Sequence, residues 1–256
     1  MSLLPLFVDR RYEVRSGWKF ATYAAALVFA GLAILLAFAG FVVIWRQGLG
    51  GLGRALLGLF LGLLLLAYPA YLGIRAIRLP EIADVTTDSN NPPRFDVLAR
   101  LRPRGRSDYP GASAAALQRA AYPDVVPLEL DVPTKTAYDA ALSLVTKRKW
   151  NVVDSRSPTL TRRDGVIEAV ARTPIMGFRD DVVIRISPLG QGTRIDMRSA
   201  SRFGSHDLGA NASRVRSLLE DLDDVISSTP EPRSLPEKKG LPAKKGQPDK
   251  RQPTKR

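Results

Sequence analysis

The stretch Asp181-Val182-Val183-Ile184-Arg185-Ile186-Ser187, the turn from Gly190 to Gly192, and Thr193-Arg194-Ile195-Asp196-Met197-Arg198-Ser199-Ala200-Ser201 decide the fold. Apolar and polar residues alternate on both sides of a glycine-bounded turn, which is the pattern of two antiparallel strands in a hairpin. Working outward, Asn151 to Asp154 and Gly165 to Arg172 carry the same Val and Ile enrichment, and Pro127 to Val132 reads as a further strand. Pro133 to Lys149 reads as a helix: Ala137, Ala141, Leu144 and Val145 share one face, and Lys147, Arg148 and Lys149 suit the negative end of its dipole. In a second helix, with Asn211 as its expected cap, Val215, Leu218, Leu219, Leu222 and Ile226 recur at three- and four-residue steps. Strand, helix, several strands, helix points to an α+β domain, an antiparallel sheet covered on one face by two helices.

Upstream lie two uncharged stretches, Phe20 to Ile44 and Ala55 to Ile74. At about 1.5 Å per residue each makes a helix able to cross a hydrocarbon core about 30 Å thick. Trp18, Tyr23, Trp45, Tyr68 and Tyr71 flank them as interfacial aromatics do, and Gly48, Gly50, Gly51 and Gly53 supply a tight turn. Residues 1–78 are therefore expected to form a two-helix transmembrane hairpin. Gly58 and Gly62 can meet Ala30, Ala33 and Ala37 at a close helix contact, or they reflect only how common small residues are in spans. The first apolar run is too long for a cleavable signal core, and Glu13 after Arg10 and Arg11 does not suit a twin-arginine signal.

Six Lys or Arg at the outer ends of the spans, against Arg46 and Arg54 in the turn, place both termini in the cytoplasm, with the periplasm as the alternative. The expected setting is a bacterial inner membrane. Residues 79–93 are polar and Pro-bounded, suiting a tether, and 94–228 has the size of one domain. In 229–256 nine Lys or Arg face three acids, +6 of the chain's net charge of +13, and six prolines interrupt it. That composition cannot bury a core and reads as a disordered basic tail. Without an aromatic to stack a base, the tail points to membrane lipid and to no specific nucleic acid.

The absence of Cys excludes disulfides, thiolate chemistry and a lipoprotein anchor. One His and no Cys make a zinc site unexpected, and Asp180 and Asp181, adjacent in a strand, point to opposite faces. Ser205, His206 and Asp207 are consecutive, a spacing that does not give the geometry of a nucleophile, base and orienting acid. On the strand faces, Asp181 with Arg185 and Arg194 with Asp196 and Arg198 are expected to form a solvated, ion-paired surface. The candidate binding residues are Arg198, Arg202, His206 and Asp207, running from a strand end into a loop bounded by Gly204 and Gly209.

Several blocks look familiar together. They are Ile82-Ala83-Asp84-Val85-Thr86-Thr87-Asp88, Asn91-Pro92-Pro93-Arg94-Phe95, Gly177 through Ile186, Asp196 through Gly204, and Asp207 through Arg214. In this order they resemble the domain-of-unknown-function family DUF1499 of bacteria and plastid-bearing eukaryotes, often found behind membrane spans. The resemblance covers roughly Glu81 to Ser228 and implies no established activity, cofactor or catalytic residue. The expected function is that of a membrane-anchored, non-enzymatic interaction domain with a protein partner and no cofactor. The alternative is a module binding lipid or an apolar small molecule between sheet and helices.

Overall fold

A computed structural model describes residues 4–48, 50–102, 107–173 and 177–228, with side chains from residue 24 onward. The tail at 229–256, and the side chains of Trp18, Tyr23 and the charges ahead of the first span, lie outside what is described. Helices α1 (Leu4–Gln47) and α2 (Leu52–Arg78) form an apolar hairpin. Both run past the expected spans, since a helical backbone continues through the charged residues that end an apolar run. The stretches Ala24–Gln47 and Leu52–Arg78 are long and apolar enough to cross a membrane.

Gly48 and Gly51 make the turn at φ 65° and 128°, a region that favours glycine. In the seam between the helices, Ala30 and Ala37 are buried. A Cβ added at Gly62 would lie 2.6 Å from Ile34 Cγ1 and 3.2 Å from the Ala30 carbonyl oxygen, whereas one at Gly58 would stand 4.0 Å from Ala37 Cβ. The Gly-x-x-x-Gly spacing is thus a real helix contact, tightest at Gly62. Away from the seam Val28, Phe29, Leu35 and Leu64 stand bare, as on helices solvated by lipid.

Among the described residues beyond the hairpin, a six-stranded antiparallel sheet is built from β1 (Asp84–Thr86), β2 (Leu128–Leu130), β3 (Asn151–Arg156), β4 (Gly165–Arg172), β5 (Arg179–Leu189) and β6 (Gly192–Ser201). The order is β1-β6-β5-β4-β3. Strand β2 shares β6 with β1, pairing with Thr193 to Ile195 while β1 pairs with Arg198 to Ala200. Residues 84–86, expected in the tether, are therefore an edge strand, because alternating Asp84, Val85 and Thr86 find partners on β6. Helix α3 (Ala112–Ala121), whose Ala-rich run lacks a clear apolar stripe, precedes α4 (Thr134–Lys147) and α5 (Ala210–Ser228).

One sheet face meets α4 and α5 as expected. Ile167, Ala169, Val182, Ile184, Ile186, Ile195 and Met197 pack there with Ala141, Val145, Val215, Leu218 and Leu222, all essentially inaccessible. Burial of each large aliphatic chain stabilises the fold by about 1.5–3 kcal/mol. The other face is the partly solvated, ion-paired surface expected only where Arg185 and Arg194 meet Asp196, at 2.9 Å and 3.3 Å; around Asp181 and Arg198 it is covered. Residues 91–102 cross it and insert Phe95 and Leu98 over Val170, Val183 and Ala200. Glu168, within β4 and fully buried, holds the crossing by accepting the backbone N–H groups of Asp96 at 2.8 Å, Val97 at 3.2 Å and Leu98 at 2.8 Å.

The hairpin seam gives a direct test. Ala37→Cys with Gly58→Cys introduces the only two thiols, on Cβ positions within the 3.5–4.5 Å span that a disulfide needs. Oxidation in membranes should cross-link this pair within one chain. Adding Gly62→Leu should wedge Ile34 aside and reduce the cross-linked fraction severalfold, read on a non-reducing gel.

Candidate functional site

The sheet end formed by the last residues of β6 and the first of β5 collects the polar side chains singled out above. Alternation sends Asp180 toward the helices and Asp181 toward the covered face. Asp180 meets Arg214 Nη2 of α5 at 2.5 Å. Asp181, fully buried, lies between two guanidinium groups, with Arg102 Nη1 at 2.8 Å on one oxygen and Arg202 Nε at 2.9 Å on the other. Arg102 also donates to the carbonyls of Ala200 at 3.2 Å and Ser201 at 3.0 Å.

Arg198 is not a binding residue on an open face. It is 1% exposed and grips Asp84 through Nε at 2.9 Å and Nη2 at 2.7 Å, with further bonds to the carbonyls of Pro93 and Ser107. Phe95 lies within cation–π reach of Arg198 at 4.7 Å and Arg102 at 5.2 Å. Tyr109, 5.7 Å from Arg198, has its phenol pushed up to about 12, first by burial and then by the Asp84 charge. Arg202, also buried, belongs to the same ion-paired layer. Both arginines are structural here, because the crossing segment 91–102 and their carboxylate partners enclose them.

Beyond Arg202 the chain turns at Gly204, with φ 82°, toward α5. Asp207, not Asn211, caps this helix: its Oδ1 accepts from Gly209 N at 2.8 Å and its Oδ2 from Asn211 N at 2.7 Å. Burial raises the Asp207 carboxyl above its ordinary value against the lowering by those two bonds. Asn211 is instead a fully buried cross-brace. Its amide donates to Ala83 O at 3.1 Å and Ser201 Oγ at 3.0 Å, and its Oδ1 accepts from Ser199 Oγ at 2.8 Å.

His206 points back to the apolar hairpin. Its Nδ1 accepts from Leu208 N at 2.9 Å, so Nε2 carries the proton and donates to the Ala76 carbonyl at 3.3 Å, in the last turn of α2. Ser205 bonds Glu81, and a Cβ at Gly209 would strike Arg75 Nη2 at 2.7 Å and Leu79 Cδ1 at 2.9 Å. The loop is therefore a latch onto the emerging end of α2. Ser205, His206 and Asp207 each bond elsewhere and form no relay with one another. Among the described residues no cluster of three or more His, Asp or Glu is placed to hold a metal ion.

Beside the latch opens a cleft of about 350 Å³. Ile82, Ala83, Pro110 and Ala114 give it apolar walls, and Asp108, Tyr109 and Ser205 contribute polar groups. Sequence reasoning missed this cleft, and no periodic signal marks the segments that build it. A carboxylate inside the apolar run of β4, Glu168, was the available sign that the second face is covered.

The family described as "Protein of unknown function (DUF1499)" matches residues 84–222. No curated protein matches the chain. Among solved structures, CalU16 from Micromonospora echinospora is similar at 14% identity and a TM-score of 0.24, over 38% of this chain and 72% of that one.

The geometry separates structural from accessible groups. Asp181→Ala strands two buried guanidiniums and should cost about 3–5 kcal/mol. His206→Ala, which removes the half-buried latch bonds to Ala76 O and Leu208 N, should cost about 0.5–1.5 kcal/mol, well below Asp181→Ala. Thermal unfolding of the full chain in detergent, followed by near-ultraviolet circular dichroism, checks both, and Arg202→Ala should group with Asp181→Ala.

Proposed function

The chain belongs to the DUF1499 family, whose match covers more than half of it, and from that premise we propose a membrane-anchored interaction domain without catalysis of its own. The α1/α2 hairpin is its anchor in a bacterial inner membrane, and the cleft beside the latch receives a segment of a protein partner. The carrying observation is the position of that cleft, bounded by Ile82 just after α2 and by the β6–α5 loop that bonds Ala76. A partner bound there would be held at a fixed height above the bilayer. Its walls suit a short apolar segment, and the exposed Asp108 suits a basic residue next to it. The closed packing between sheet and helices favours a protein over an apolar small molecule enclosed there.

Ala114→Trp should fill the cleft without disturbing the core. We expect it to abolish co-purification of a stoichiometric protein from native membranes, with the melting temperature moved by no more than about 2 °C, as for surface changes. A retained lipid and no protein, identified by mass spectrometry, would favour the small-molecule reading instead.

The Lys and Arg bias of the span ends supports a cytoplasmic domain. Ser227→Cys places the chain's only thiol on the exposed end of α5. It should resist a membrane-impermeant maleimide in intact cells and react after lysis. Labelling of intact cells would put the domain in the periplasm.

A further inference from the structure

Strand β1 lies at a margin of the sheet, and β6 takes only one of its two sides. Ser201 N donates to the Ala83 carbonyl at 2.8 Å, and Thr87 N to the Met197 carbonyl at 2.9 Å. Backbone groups of an antiparallel strand point to alternate sides, so Ala83, Val85 and Thr87 bond to β6 while Ile82, Asp84 and Thr86 turn theirs outward. The two outer members of that second set are occupied. The Ile82 carbonyl accepts from Asp207 N, in the latch, at 3.1 Å. Thr86 is closed by the side-chain amide of Gln118 on α3, which accepts from Thr86 N at 3.0 Å and donates to Thr86 O at 2.6 Å, as a neighbouring strand would. Asp84, between them, has no partner for its outward N–H and C=O among the described residues.

This gap belongs to the cleft, which Asp84 lines together with Ala114, one helical turn before Gln118. A helical turn rises about 5.4 Å, close to the two-residue step of about 6.7 Å from Thr86 to Asp84 along a strand. Helix α3 therefore follows the edge of β1, filling it at Thr86 with a long amide and leaving it open at Asp84, where it offers only a methyl group. The Asp84 carboxylate is engaged by Arg198, and the residue is 7% exposed. Peptide groups so buried are nearly always paired, and a donor and acceptor together on a strand edge complement one residue of another strand. On the rim, Asp108 is exposed and forms no ion pair among the described residues.

We propose that the cleft takes its protein partner by β-pairing: one residue of an extended partner segment donates its N–H to the Asp84 carbonyl and accepts from the Asp84 N–H, while a Lys or Arg beside it faces Asp108. The latch at Ile82 and Gln118 at Thr86 limit the pairing to that single residue, so the segment is a loop tip or a chain end and not a long strand. This inference rests on the reading of the cleft as a partner site, and its test lets the two fail separately.

The probe is a library of random acetylated heptapeptides, selected on the full chain in detergent micelles and counter-selected on the Ala114→Trp chain, whose cleft is filled. Selected peptides should carry Lys or Arg next to small or apolar residues. Asp108→Lys should weaken them at least fivefold; its side chain is exposed, so the melting temperature should hold. Methylating the peptide nitrogens one at a time should weaken binding about tenfold at one position, the loss of one enclosed backbone bond, and less than twofold at its neighbours. With saturating peptide, hydrogen–deuterium exchange at the Asp84 amide should slow at least tenfold, while Thr86, already bonded to Gln118, stays unchanged. Peptides that need the open cleft yet tolerate methylation at every nitrogen and leave Asp84 exchange unchanged would overturn the β-pairing and leave the partner site standing. Selection of no peptide that distinguishes the parent from Ala114→Trp would overturn the partner site and the pairing with it.

Discussion

Asp181 is the interaction on which the domain turns. A carboxylate with no solvent contact, in the middle strand of a sheet, carries a desolvation cost of several kcal/mol that one partner rarely offsets. Here it has two, and they come from different parts of the chain. Arg102 ends the segment that crosses the sheet, and Arg202 begins the loop that returns to α2. The same charge thus ties down the covering layer and starts the latch. Phe95 completes the arrangement by placing an aromatic ring beside Arg102 and Arg198, a contact that strengthens when water is excluded.

The blocks that carry the family resemblance supply this layer. Asp84 and Phe95 come from the first two, Asp180 and Asp181 from the third, Arg198 and Arg202 from the fourth, and Asp207, Asn211 and Arg214 from the last. Their polar atoms meet one another or the backbone. What distinguishes these blocks in this chain is the joining of a sheet, its cover and a helix end. The cleft uses only backbone neighbours and partial surfaces of those residues. Recognition at the cleft is therefore a matter of shape set by the layer beneath.

Periodicity made β3 to β6, α4 and α5 legible, because alternation and three-to-four spacing reflect which face is buried. The two apolar helices were legible from length alone. Alternation also put Arg194, Asp196 and Arg198 on one face, but it cannot say whether something lies over that face. The cover has no periodicity of its own: Asn91, Pro92 and Pro93 lead into a single turn of helix at Leu98–Leu101. Arg198 therefore read as a surface residue. The helix cap was ambiguous for a different reason, since Asp207 and Asn211 both have side chains suited to the task. Positive φ at Leu208 and Gly209 starts the helix at Ala210 and settles it for Asp207.

Strand β1 is the first part of the domain to follow the hairpin, yet its strand partner among the described residues is β6, more than a hundred residues later. At about 5–20 residues per second, synthesis takes several seconds or more to deliver that partner. Over this interval the hairpin can already form while Asp84 to Thr86 wait with open backbone groups. Completion of the sheet is then a ring closure in which one end is already held by the hairpin. A chain interrupted before Gly192 would keep its hairpin and a permanently unpaired edge, a form distinct in its open backbone from the finished protein.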